Sequence, residues 1–104
     1  MAQGQSTVTA SATAGKAVAH GEAAIITTES LSQAAGASYV LTLGNSQIMP
    51  NSVVLAVISN GTNTQGDPSL ATVAVSLGKA VITIINRHAS QALNGTLQIA
   101  LLVR

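Results

Sequence analysis

The chain has 104 residues, a size that fits one domain, and only 7% of them are charged against about 25% in an ordinary soluble domain. Four basic and three acidic residues leave a formal net charge of +1, far too little positive charge to neutralise a nucleic-acid backbone. No cysteine is present, which excludes a disulfide framework, a thiolate metal site and a cysteine nucleophile.

Ser, Thr, Asn and Gln together supply 35 residues, Ala supplies 18, and Tyr39 is the single aromatic ring. The first 20 residues, MAQGQSTVTASATAGKAVAH, have neither a basic start nor an apolar core, so a secretory signal is not expected. They read instead as an extended low-complexity arm. Within it Val8, Ala10, Ala12 and Ala14 alternate with Thr7, Thr9, Ser11 and Thr13, the period-two pattern of a strand with little apolar area to bury. Such an arm needs something to lie against. Adding a strand to a neighbour's sheet edge would serve, which marks Thr7, Val8, Thr9, Ala10, Ser11, Ala12 and Lys16 as assembly contacts.

From residue 21 the pattern strengthens into a second unit, residues 21–104. Ala23 to Thr28 is a short β-branched run, and Ser32 to Ala37 is a connection containing Gly36. Ser38 to Leu43 alternates and places Tyr39, Leu41 and Leu43 on one face. Alanines make a helix the rival over Gln33 to Leu43, but Gly36 and the Tyr-Val-Leu-Thr alternation weigh against it. Turn clusters at Gly44-Asn45-Ser46 and Pro50-Asn51-Ser52 bracket Ile48. Val53 to Ser59 is apolar on both faces, the mark of a strand covered on each side. Asn60 to Ser69 is a polar loop. Ala71 to Leu77 and Ala80 to Asn86 then form a hairpin about a type II′ turn at Gly78-Lys79. Arg87 to Gly95 is a second loop, and Thr96 to Val103 is the last strand, with Leu97, Ile99, Leu101 and Val103 on one face.

Six to eight strands with turn signals every 8–12 residues predict an all-β fold, either an antiparallel β-sandwich or a jelly-roll-like barrel, with an extended N-terminal arm. The longest apolar runs are far short of the roughly 20 residues that cross a bilayer, so no membrane association is expected.

Chemistry is harder to find. His20 and Glu22 stand two apart, as two metal ligands on a strand do, but no second cluster completes a set, so no metal site or cofactor is expected. Glu22, Glu29 and Asp67 are the only carboxylates for acid–base work, and Asp67 sits in ordinary turn chemistry before Pro68. There is no Gly-x-Ser-x-Gly elbow and no phosphate loop around Gly15-Lys16. Asn60-Gly61-Thr62 and Asn94-Gly95-Thr96 match the glycosylation pattern but read as turns. The chain is expected to be no enzyme. As exposed binding loops the sequence offers Asn60, Asn63, Gln65, Asp67, Arg87 and His88.

A folded monomer of this mass exposes about 5,400 Å². Seven charges on it lie several-fold sparser than on a surface that is 25–35% charged. Uncharged strand edges invite pairing with other chains, so an oligomer or a lattice-bound subunit is expected.

Three stretches, Thr27 to Leu43 (TTESLSQAAGASYVLTL), Asn60 to Thr64 (NGTNT) and Leu93 to Leu97 (LNGTL), give the sequence its resemblance to small Ala/Ser/Thr-rich β proteins of tailed-bacteriophage virions. That resemblance implies a virion component without catalysis, such as a decoration (cement) protein on the capsid surface, made in the host cytoplasm. Its partners would be the major capsid protein and copies of itself, as a homodimer or homotrimer. The rival expectation is a module on a tail or head fibre whose two long loops touch a host-surface ligand.

Overall fold

The computed structural model describes residues 7–103; the first six residues of the expected arm and Arg104 lie outside the described residues. Eight strands run in the order β1 (Thr7–Ser11), β2 (Lys16–Val18), β3 (Ala23–Thr27), β4 (Ser38–Gly44), β5 (Val54–Asn60), β6 (Pro68–Ser76), β7 (Lys79–Asn86) and β8 (Leu97–Val103). The described residues contain no helix, and Gln33 to Leu43 divides into a loop and β4 as the alternation predicts.

The strands form two sheets of four. The first has the order β1-β3-β8-β5 and the second β2-β4-β7-β6. Most pairs are antiparallel, but β1 runs parallel to β3 and β2 parallel to β4, so both sheets are mixed. This corrects the expectation of a purely antiparallel fold. The reason lies in the connections: only β6 and β7 follow one another within a sheet, and every other link carries the chain across to the opposite layer. Strands two apart in sequence then become neighbours pointing the same way.

Period-two alternation builds the core. The odd residues of β4 and β8 (Tyr39, Leu41, Leu43; Leu97, Ile99, Leu101, Val103) are buried, as are the even residues Ala24 and Ile26 of β3 and Ala80, Ile82 and Ile84 of β7. Residues from both sheets meet in one cluster, and each fully buried Ile or Leu stabilises the fold by roughly 1.5–3 kcal/mol. Leu31 and Leu93, from two loops, close one end of this core. Ile48 closes the other, completely buried with Ala80 and Val103.

From Thr7 onward the residues of the expected arm join the two sheets. Val8 and Ala10 of β1 pack against the core, Ala12 and Ala17 are buried, and β1 and β2 supply an edge strand to each sheet. Strands from both sides of residue 20 thus share the two sheets. Small alanines suffice because β1 and β2 each need to cover only the margin of a core whose bulk comes from the inner strands.

The hairpin exists, but its two loop residues are Leu77 and Gly78, one place earlier than expected, since Ser76 pairs with Lys79. Gly78 carries φ +76° as the second central residue, the type II arrangement rather than II′.

Three buried asparagines hold the loops. Asn86, fully buried at the end of β7, accepts the N–H groups of Asp67 (3.0 Å) and His88 (3.1 Å) on Oδ1. Its Nδ2 donates to the carbonyls of Gln33 (3.1 Å) and Gln91 (2.7 Å), so all of its side-chain capacity ties together three loops. Asn45 does the same at the other end by accepting from Gly21 and Gln47 and donating to the Gly21 carbonyl. Replacing Asn86 by Ala removes four hydrogen bonds and strips the Asp67 and His88 N–H groups and the Gln91 carbonyl of these partners, while the Gln33 carbonyl keeps the Leu93 N–H. The Asn86→Ala variant is expected to lose about 3 kcal/mol or more, read as a fall in Tm of roughly 12 °C or more by thermal unfolding.

Candidate functional site

The register of the first sheet decides what faces outward. With Leu97, Ile99 and Leu101 inward, β8 turns Gln98, Ala100 and Leu102 to the outside. Pairing places Ala100 between Ile25 of β3 and Val57 of β5, and Leu102 between Ala23 and Leu55. The outcome is a contiguous apolar face of Ala23, Ile25, Ala100, Leu102, Leu55 and Val57, extended by Val53 just before β5. Val53, Leu55 and Val57 are 58%, 52% and 67% exposed. None of the four strands of this sheet contains a charged residue.

The outer face of the second sheet differs. Lys16 of β2 and Lys79 of β7 stand on it, and rows such as Val40–Thr83–Thr72 interleave apolar residues with threonine. Among the described residues, only the first sheet thus presents large aliphatic side chains to water with no ionic group among them. Here the expectation for Val53 to Ser59 is corrected: the run is apolar on both faces, yet β5 is an edge strand with its outer face bare.

The expected assembly residues of the N-terminus divide by parity. Thr9, Ser11 and Lys16 are exposed, whereas Val8 and Ala10 are partly buried and Ala12 fully so. Thr7 through Ser11 add their strand to β3 of the same chain, so their pairing capacity on that side is already used.

The loops after β5 and β7 meet at one end of the molecule. Gln65 Nε2 donates to the Ala92 carbonyl at 2.7 Å, Arg87 N–H to the Asp67 carbonyl at 2.9 Å, and Thr64 N–H to Asn94 Oδ1 at 2.7 Å. Asn60, Asp67 and Arg87 are exposed there, while Gln65 and His88 are half-buried. His88 Nδ1 accepts the N–H groups of Ser90 and Gln91, both at 3.0 Å, as a loop cap. Asn63 is not an exposed contact residue: at 3% exposure it donates to Asn60 Oδ1 and the Gln65 carbonyl and accepts from Asn94 N–H. Its amide is consumed by joining the two loops. Gly95 permits that junction, because a Cβ there would lie 2.7 Å from the Asn63 nitrogen.

A third feature was not legible in the sequence. Glu29 and Tyr39 line a cleft of about 350 Å³ together with Gly15, Ser30, Ser32 and Gln33. Tyr39 donates its hydroxyl to Glu29 Oε1 at 2.6 Å, and Gly15 N–H donates to Oε2 at 2.9 Å. Burial raises the Glu29 pKa, but these hydrogen bonds outweigh it and hold the carboxyl below its ordinary value. Burial, together with the adjacent carboxylate, raises the Tyr39 hydroxyl. With both carboxylate oxygens engaged by the fold, the pair acts as a strut tying the β1–β2 turn to β4. His20 is exposed and its Nδ1 accepts Ser46 N–H at 2.9 Å. Among the described residues no three His, Asp or Glu side chains converge as a metal ion requires.

No family model, curated protein or solved structure matches the chain.

The Glu29 strut yields a pH prediction. A carboxyl whose folded pKa is depressed contributes stability that is present above its unfolded value and lost as pH falls through the folded pKa. Tyr39→Phe is expected to cost about 1.5–3 kcal/mol at pH 7. That gap from the parent protein should narrow as the pH drops below the ordinary glutamate value of 4.5, and the Glu29 carboxyl resonance should titrate at higher pH in the variant.

Proposed function

We propose that the chain is a non-enzymatic structural protein of a virion, a two-layer β-sandwich that attaches to the capsid shell and reinforces it at subunit junctions. The observation that carries this reading is the uncharged apolar face of the first sheet, centred on Leu55, Val57 and Leu102. It is supported by the sparse charge of the chain and by the resemblance of its Thr27 to Leu43, Asn60 to Thr64 and Leu93 to Leu97 stretches to small virion β proteins. The major capsid protein is the partner this reading names.

Magnitudes constrain how such attachment works. Full burial of an aliphatic side chain contributes roughly 1.5–3 kcal/mol. Val53, Leu55 and Val57 are each a half to two-thirds exposed, so covering all three contributes roughly 3–5 kcal/mol, which the freedom lost on association consumes. One stripe on one copy does not hold. The whole face must engage, or several copies must act together on a repeating lattice.

A fibre module that contacts a host surface is the second reading. What favours it is the cross-pinned loop end, where Asn60, Asp67 and Arg87 stand exposed on a rigid base. Loops fixed in this way present side chains without an ordering cost on binding.

Co-sedimentation with capsid shells lacking the protein separates the two. On the decoration reading, binding survives a rise from 50 mM to 500 mM salt, because area-driven contact is not screened as charge-driven docking is. Leu55→Lys is expected to weaken shell binding at least tenfold with the fold intact, and Arg87→Ala to leave it unchanged. Loss of binding in Arg87→Ala but not in Leu55→Lys would favour the loop end instead.

A further inference from the structure

The free edge of β5 has a definite set of hydrogen-bonding groups. Gly61 N–H donates to the Thr96 carbonyl, in register with the β5–β8 ladder. Bonded pairs in an antiparallel ladder alternate, so Leu55, Val57 and Ser59 exchange their bonds with β8. The β3–β8 ladder agrees: Thr28 N–H donates to Leu97 and Val103 N–H to Glu22, which turns the odd residues of β8 toward β3 and leaves the even ones for β5. It follows that the N–H and C=O groups of Val54, Ala56, Ile58 and Asn60 point away from β8. Among the described residues β8 is the only strand beside β5 in its sheet.

Of the three other edges, two carry protection that β5 lacks, and the third, β1, is uncharged like β5 but only five residues long. The β6 strand opens on Pro68 and shifts register between Leu70 and Thr72. The β2 strand has three residues, one of them Lys16. By contrast β5 runs seven residues with no charge, no proline and no register shift. Proteins that keep a strand edge unpaired place such devices on it.

We propose that β5 pairs antiparallel with β5 of a second copy about a two-fold axis at Val57, joining two first sheets into one of eight strands. A second copy fits because the edge is self-complementary in one register. With Val57 opposite its own symmetry mate, Val54 faces Asn60 and Ala56 faces Ile58, and all four edge residues of each copy form bonded pairs. Val57 then lies in a non-bonded pair, with Cα atoms about 4.5 Å apart and side chains in contact. On the outer face Ile25, Ala100 and Val57 continue into Val57, Ala100 and Ile25 of the second copy, doubling the uncharged surface. The contact is modest in size. A wall about 24 Å long and about 20 Å deep (two layers ~10 Å apart plus their outward side chains) covers roughly 480 Å² per copy, or ~960 Å² in all. That falls below the 1,200–2,000 Å² of stable complexes, so the dimer forms and separates with concentration.

A chain without cysteine makes the test direct. Under mild oxidation Val57→Cys is expected to cross-link at least tenfold faster than Leu55→Cys or Ser59→Cys. The reason is that each of those residues sits four positions, about 13 Å, from its own mate in this register, beyond disulfide reach. Sedimentation equilibrium of the unmodified protein should show its average mass rising toward a dimer between 10 µM and 1 mM, while Val57→Lys, which sets like charges face to face, stays monomeric. Equal cross-linking at positions 55 and 57, or a strictly monomeric parent protein at 1 mM, overturns the proposal. These measurements need no capsid, so their failure leaves shell attachment standing, and loss of shell binding in Leu55→Lys leaves the edge dimer standing.

Discussion

Parity along β8 is the constraint on which the rest of the molecule depends. Leu97, Ile99, Leu101 and Val103 must face inward, because no other strand supplies their share of the core. In a strand the alternate residues then have no choice, and through the ladders the same choice is imposed on β3 and β5. Outward placement of Ile25, Leu55, Val57, Ala100 and Leu102 is thus the geometric complement of a buried core. A shift of one residue would expose four large side chains to cover smaller ones, which burial energetics forbid.

Such a chain cannot fix its loops with ion pairs, since it has almost none to offer. It uses amides instead. Asn45, Asn63 and Asn86 are buried side chains whose amides each join groups of their own loop to backbone groups of a distant one. An amide in a low-dielectric interior costs far less to desolvate than a charge, provided that its partners are fixed. Glu29 is the exception, and its carboxylate is held by the Tyr39 hydroxyl and the Gly15 N–H rather than by a cation. The loop end is consequently as ordered in its bonding as the sheets that carry it, which makes it a base for exposed residues rather than a mobile fringe.

The two sheets divide their surface roles. Lysines and threonines on the second sheet keep one face of the molecule compatible with water, while the first sheet leaves an aliphatic face and an unguarded edge side by side on β5. Face and edge are separate chemical resources. The face attracts by removing apolar area from water in any orientation, whereas the edge accepts only a strand in register. Their adjacency means that a partner on one extends the other.

By itself the sequence determined what depends on local pattern. Alternation marked nearly every strand and the inward stripes of β4 and β8, and the lack of charge marked a surface poor in ionic groups. It could not determine strand order. A run such as Val53 to Ser59, apolar on both faces, has the same composition whether the strand lies at the centre of a sheet or at its edge, and only long-range pairing, with β8 as its one sheet neighbour among the described residues, settled the matter. The parallel neighbours of β1 and β2, the burial of Asn63 and the meeting of Glu29 with Tyr39 belong to the same class. Each joins residues that no local periodicity relates, because the chain crosses between layers at almost every turn and its contacts are set by the closed core rather than by neighbours in sequence.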